Sequence, residues 1–140
     1  MKKKNKGFTM VELLAVITIM GILTALAVPA VVKHIAKSRN TSFDTMLKST
    51  YEAAENYMMD NNILLHSGDP DYPILIKDLV DNQYLEALID PVGNGGRCDT
   101  NSNSKVLVAY DSATAGGLVN YKFKVKIVCP SKTLEKTFPE

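Results

Sequence analysis

A chain of 140 residues, 46% of them hydrophobic and with a formal charge of +1, has room for one small globular head of about 100 residues once an apolar run of about 30 is set aside. The charge is unevenly placed: Lys2, Lys3, Lys4 and Lys6 precede the run, and without them 12 basic residues face 15 acidic ones, which excludes a polyanion binder by net charge. Two histidines, no CxxC, no glycine-rich phosphate loop and no carboxylate pair at a recognisable spacing exclude the common catalytic constellations, so an enzyme is not expected.

The basic leader MKKKNKG joins the apolar run at Gly7 and Phe8. From Leu13 to Val32 there are 20 consecutive residues without a formal charge, and at about 1.5 Å per helical residue they reach about 30 Å, enough to span a bilayer. Lysines before such a run hold that end in the cytoplasm and place the C-terminal part outside. There the two cysteines, Cys98 and Cys129, meet an oxidising compartment in which they can pair. Ala25-Leu26-Ala27 offers a small-residue cleavage site, and a cut there would release a soluble protein. Glu12 argues against a simple signal sequence, because a carboxylate in a spanning helix costs about 3 kcal/mol at the centre and less near an end.

Lys6-Gly7-Phe8-Thr9-Met10-Val11-Glu12-Leu13 resembles the class III leader of the type IV filament superfamily, which contains type IV pilins and the pseudopilins of type II secretion and DNA uptake. The resemblance covers about 25 residues. It implies cleavage between Gly7 and Phe8 by a membrane prepilin peptidase, with N-methylation of Phe8 by the same enzyme. Independently of the family, such a cut creates an ammonium on Phe8 one helical turn from Glu12, and an acidic group in the first turn suits the helix dipole. Spacing leaves open whether Glu12 meets its own amine or a neighbour's; the resemblance implies the neighbour's, which makes Glu12 an assembly residue.

Gly21 lowers helix propensity and Pro29 lacks the amide hydrogen that would bond the Ala25 carbonyl, so the helix is expected to kink or loosen there. In pilins a glycine and a proline at corresponding places bound a segment that loses helicity on assembly. Past Val32, Phe43, Met46, Leu47, Tyr51, Ala54 and Met58 recur at spacings of three and four. One helix is therefore predicted from about Phe8 to near Asn61, with its distal stripe facing a core.

His66 to Pro73 reads as a loop, in which His66, Asp69 and Asp71 lack zinc-like spacing. Ile74 to Leu88 reads as a short helix with Leu75, Leu79, Val80, Leu85 and Leu88 mostly inward, ending at Asp90-Pro91. The turn-rich stretch from Asp90 to Gly96 is similar to the Asp-Pro-x-Gly-Asn segment near a calcium site in pseudopilins, but no aromatic follows Pro91 and Asp90, Asp99 and Asp111 are scattered; no metal site or cofactor is assigned. Lys105 to Tyr110 and Leu118 to Val128 are strand-like and joined by a loop ending in Gly116-Gly117. In the second, Val119, Tyr121, Phe123, Val125 and Ile127 face one way and Asn120, Lys122, Lys124 and Lys126 the other. The lysine row is expected to be a solvated outer face that resists edge aggregation; contact with DNA or a neighbouring subunit is the alternative. Pairing of Cys98 with Cys129 would close a loop of about 30 residues and stabilise the head by roughly 3 to 4 kcal/mol in the chain-entropy model.

The expected architecture is α+β and pilin-like. Residues 1–7 form the prepilin leader peptide and 8–32 a transmembrane and assembly helix. Residues 33–140 form an extracytoplasmic head in which the distal helix packs on a small antiparallel sheet of three or four strands. The resemblance implies a structural subunit of a type IV pilus-like filament, homo-oligomeric or mixed with other pilins. Its partners would be the prepilin peptidase and a membrane assembly platform with its ATPase. A pseudopilin of a secretion or competence system, and a non-polymerising anchored or secreted binding module, are the alternatives. The chain is expected as a single-pass membrane protein with a cytoplasmic N-terminus before assembly, and at the cell surface or in an extracellular filament afterwards.

Overall fold

A computed structural model describes residues 7–93, 95–114 and 117–139. The lysines of the leader, Asn94 and Gly116 lie outside the described residues. The elements in chain order are α1 (Met10–Asp60), β1 (Tyr72–Leu75), α2 (Ile76–Asp81), β2 (Lys105–Ala113), β3 (Val119–Val128) and β4 (Thr133–Phe138). The chain divides into two compact units, with the boundary between Ser38 and Arg39 inside α1.

In the first unit, α1 is long and apolar enough to cross a membrane. Every large apolar side chain from Phe8 through Ile35 is exposed. The helical assignment continues through Gly21 and Pro29. Thr18 and Thr24 turn their hydroxyls inward along the helix, donating to the carbonyls of Leu14 and Ala15 and of Met20. That leaves no hydroxyl of either residue unsatisfied in an apolar environment.

The second unit is built as the distal stripe predicts. Phe43, Leu47, Thr50, Ala53, Ala54 and Met58 are the buried residues of α1, and the apolar five share one core with Val106, Val108, Phe123, Val125, Ile127 and Leu134. Ala53 and Ala54 lie in that core, and at its side Tyr51 stacks on Phe138 at 4.9 Å and meets Phe123 edge-on at 5.1 Å. The helix ends where its carbonyls find a left-handed residue: Asn62 has φ 50°, its N–H donates to Met59 O and the Ile63 N–H to Met58 O, the paired bonds of a Schellman cap.

The sheet is a four-stranded antiparallel meander in the order β1-β2-β3-β4. The alternation in β3 places Phe123, Val125 and Ile127 inward and Lys122 and Lys124 outward, as the period of two requires. The structure corrects three other expectations. Ile74 to Leu88 is not one helix. Tyr72–Leu75 is an edge strand pairing Ile74 with Val106, and Leu75 points to the exposed outer face. The six-residue α2 then stops in a second Schellman cap, in which Gln83, at φ 63°, donates to Val80 O and Tyr84 to Leu79 O. Secondly, β2 runs three residues past Tyr110, through an irregularity between Tyr110 and Ser112. Thirdly, the lysines occupy β2 and β3, the two central strands, so protection of a sheet edge is not their role; Pro73 fills that role on β1.

Candidate functional site

Apart from Gly21 and Pro29, which lie within the apolar part of α1, the sequence-derived residues fall into two places, one in each unit. At the start of α1, Thr9 and Glu12 form a reciprocal cap. The Thr9 N–H and Oγ1–H both donate to Glu12 Oε2, at 3.0 and 2.8 Å, and the Glu12 N–H donates to Thr9 Oγ1 at 3.3 Å. This is the capping box of an S/T-x-x-E sequence, with Thr9 as N-cap and Glu12 at the third helical position. The pattern Thr9-x-x-Glu12 is legible in the sequence and gives Glu12 a local role beyond its charge. Gly7 and Phe8 stand immediately before the cap, outside any regular element and exposed. Thr9 and Glu12 are likewise exposed, on a helix whose neighbouring side chains are almost all apolar. Such a surface holds one carboxylate whose second oxygen is free of the cap, at the end of a long apolar rod face. It offers shape and a single charge for recognition, and no acid-base pair for chemistry.

The second place is the disulfide-closed end of the head. Cys98 and Cys129 are bonded and both are buried. Around them the stretch from Leu88 to Cys98 folds back on itself: Cys98 N–H donates to Leu88 O, Asp90 N–H to Gly96 O, and Ile89 bridges Arg97. This small ladder is fixed to the β3–β4 turn by more than the disulfide. The Asp90 carboxylate, 2% exposed, accepts from Ser131 N–H at 2.8 Å, Ser131 Oγ–H at 2.7 Å and Val92 N–H at 2.9 Å. Burial alone would raise its pKa, but those donors, joined by the Gly93 amide, outweigh it and lower the pKa to about 2. Gly96 lies so near Pro130 that a Cβ there would stand 2.7 Å from the proline Cγ. Ser104 completes the join, donating to Cys98 O at 2.7 Å and accepting from Val128 N–H at 2.9 Å.

The acidic residues considered for calcium are therefore each engaged separately. Asp90 holds Ser131, Asp99 pairs with Arg97, and Asp111 pairs with Lys122 at 2.6 Å. His66 and Asp69 form a local turn contact, the His66 N–H donating to Asp69 at 2.7 Å. Among the described residues no group of three or more His, Cys, Asp or Glu side chains is placed to hold a metal ion.

The family model described as a prokaryotic N-terminal methylation motif matches residues 2–28. The type IV major pilin protein PilA of Myxococcus xanthus is 37% identical over 59 residues, covering 42% of this chain and 27% of that protein. The fimbrial protein EcpB of Eikenella corrodens is 43% identical over 67 residues, 48% of this chain and 38% of that protein. The type IV major fimbrial protein FimA of Dichelobacter nodosus is 27% identical over 122 residues, 86% of this chain and 76% of that protein. The chain spans less than two fifths of the length of the first two relatives. No solved structure matches it. The prepilin-type N-terminal leader motif, the likeness to type IV pilins and the α+β pilin-like fold are thus borne out, and these relatives carry the names of structural proteins rather than enzymes.

Proposed function

We propose that this chain is the structural subunit of a type IV pilus-like filament. It enters the membrane as a prepilin, loses its leader between Gly7 and Phe8, becomes N-methylated on Phe8, and assembles through its N-terminal helix. The observation that carries this reading is the coincidence of the methylation motif at 2–28 with a helical segment whose large apolar side chains, from Phe8 through Ile35, are all exposed. A surface of that extent needs lipid first and other helices afterwards. Exchanging lipid for like helices brings no large hydrophobic gain, so packing shape and the charge of Glu12 set the specificity of association. The relatives are named as pilins and fimbrial proteins, which favours a pilus over a secretion pseudopilus.

Glu12 is spoken for before cleavage by the cap on Thr9. Cleavage adds a competing partner, the ammonium on Phe8, and filament formation brings further ammonium groups from neighbouring copies. Gly21 and Pro29 mark the segment of α1 whose backbone is least supported by propensity and hydrogen bonding, and we assign any loosening on assembly to the residues between them. A prepilin peptidase and a membrane platform with its ATPase would act on the chain, the head facing outward.

The test is mass spectrometry of filaments sheared from cells producing the full chain. The expected N-terminal peptide begins at Phe8 and carries one methyl group. A peptide beginning at Met1 or at Val28 in surface material would overturn the processing step, and absence of the chain from any sheared polymer would overturn the filament reading.

A further inference from the structure

The head carries two surfaces that its own fold leaves uncovered, and they are complementary. One is a groove of about 600 Å³ at the end of the head where α1 stops and β2 turns into β3; Met58, Met59, Ile63, Leu64 and Tyr121 line it and Glu55 stands on its rim. Met59 is 65% and Leu64 69% exposed, so this apolar lining is open to solvent. Asp111, also at the groove, is already neutralised by Lys122, which leaves Glu55 to set the sign of the rim.

The other surface is the outer face of the sheet at the opposite end of β2. Lys105 stands directly opposite Lys126, and Leu75 directly opposite Lys105. Like charges at facing positions of two strands are unfavourable, and the one carboxylate beside them, Glu135, which stands opposite Lys126 in the register with β4 and feels its charge, makes its ion pair with Lys124 at 2.9 Å. Beside them Leu75, 39% exposed, and Leu107 make an apolar spot in a face otherwise lined by lysines and Glu135.

We propose that the Leu75 and Lys105/Lys126 face of one copy docks on the Glu55-rimmed groove of a second copy. It rests on the filament reading and gives that filament a contact between heads. The two surfaces lie at opposite ends of the β2–β3 pair, so each copy can use both at once. Different patches on the two partners make the contact heterologous, and a heterologous contact that does not close on itself propagates into a filament. The exposed leucine enters the apolar groove, and the opposed ammonium groups meet the rim carboxylate that no described cation neutralises.

The experiment uses the full chain in cells, with Leu75→Cys and Met59→Cys introduced together, the native disulfide retained, and a short thiol-reactive crosslinker applied. The expected result is a ladder of dimers, trimers and higher multiples on non-reducing gels from the double variant, and no ladder from either single variant. Charge reversal supplies an independent readout: Lys105→Glu with Lys126→Glu is expected to lower sheared filament at least tenfold, and adding Glu55→Lys to restore most of it. Filaments of normal yield without a ladder would overturn the docking and leave the filament reading standing. Crosslinks only to a different protein would overturn it as well. A ladder in cells that yield no sheared filament would uphold the head contact and count against the filament.

Discussion

Asp90 stays ionised in a place where burial opposes charge, because three donors from Val92 and Ser131 converge on its two oxygens. The folded-state pKa of about 2 lies below the ordinary value of 3.8. The contribution of this group to stability is therefore fully present above about pH 4 and is lost as pH falls toward about 2. Replacing it with Asn keeps one acceptor but turns an amide donor toward the donors of Ser131. Asp90→Asn is expected to cost about 2 kcal/mol at neutral pH, in the range for a hydrogen-bonded buried charge. It should also flatten the fall in Tm between pH 4 and pH 2. Thermal unfolding of the detergent-solubilised chain at a series of pH values checks both, and a variant with the pH slope of the parent would show that Asp90 is not the titrating group. Gln83 makes a second residue-scale prediction: at φ 63° it occupies the left-handed C′ position of the α2 cap. Gln83→Gly relieves that conformation and is expected to raise stability by about 0.5 to 1 kcal/mol, measured by the same unfolding.

At the scale of elements, the disulfide is one of several ties between the 88–98 ladder and the β3–β4 turn. Its loop of 31 residues is long enough for a chain-entropy contribution of roughly 3 to 4 kcal/mol, yet Asp90, Ser104 and the close approach of Gly96 to Pro130 remain when it is removed. Cys98→Ala with Cys129→Ala is therefore expected to lower Tm markedly while circular dichroism still shows the sheet at low temperature; loss of the sheet at low temperature would show that the ties depend on the bond. How far these elements are legible in the sequence depends on what holds each together. The distal part of α1 is read correctly to within one residue of Asn61 because its apolar residues keep a 3.6-residue stripe as far as Met58. β3 is read because its lysines alternate strictly with apolar residues. β1 hides in Tyr-Pro-Ile-Leu, whose proline is compatible with a strand only at a sheet edge, and a position in the sheet is a property of pairing rather than of local pattern. β4, Thr-Leu-Glu-Lys-Thr-Phe, has too few apolar residues to declare itself and exists through its register with β3. Glu12 stands out in the sequence as a charge in an apolar run, but its hydrogen-bonded role appears only when Thr9 is read with it as a pair.

At the scale of the whole molecule, the proposed role of Glu12 would make one residue separate membrane insertion from assembly. The apolar run from Leu13 to Val32 suffices for a span whatever occupies position 12, and Gly7 with Phe8 stands outside the helix, open to a peptidase. Glu12→Ala should therefore leave insertion intact and still yield a chain beginning at N-methylated Phe8, while incorporation into sheared filament falls by an order of magnitude or more. Thr9→Ala is the control that distinguishes the cap from the charge. It removes the Thr9 hydroxyl from the reciprocal bonds but keeps the carboxylate, so the helix N-terminus loses support and a charge at position 12 remains available to a neighbour's ammonium. If the charge carries assembly, Thr9→Ala filaments form at near-normal yield and Glu12→Ala filaments do not. If the cap carries it, the two variants fail together. Undiminished filaments from Glu12→Ala would remove the carboxylate from assembly altogether and leave the apolar shape of α1 as the determinant.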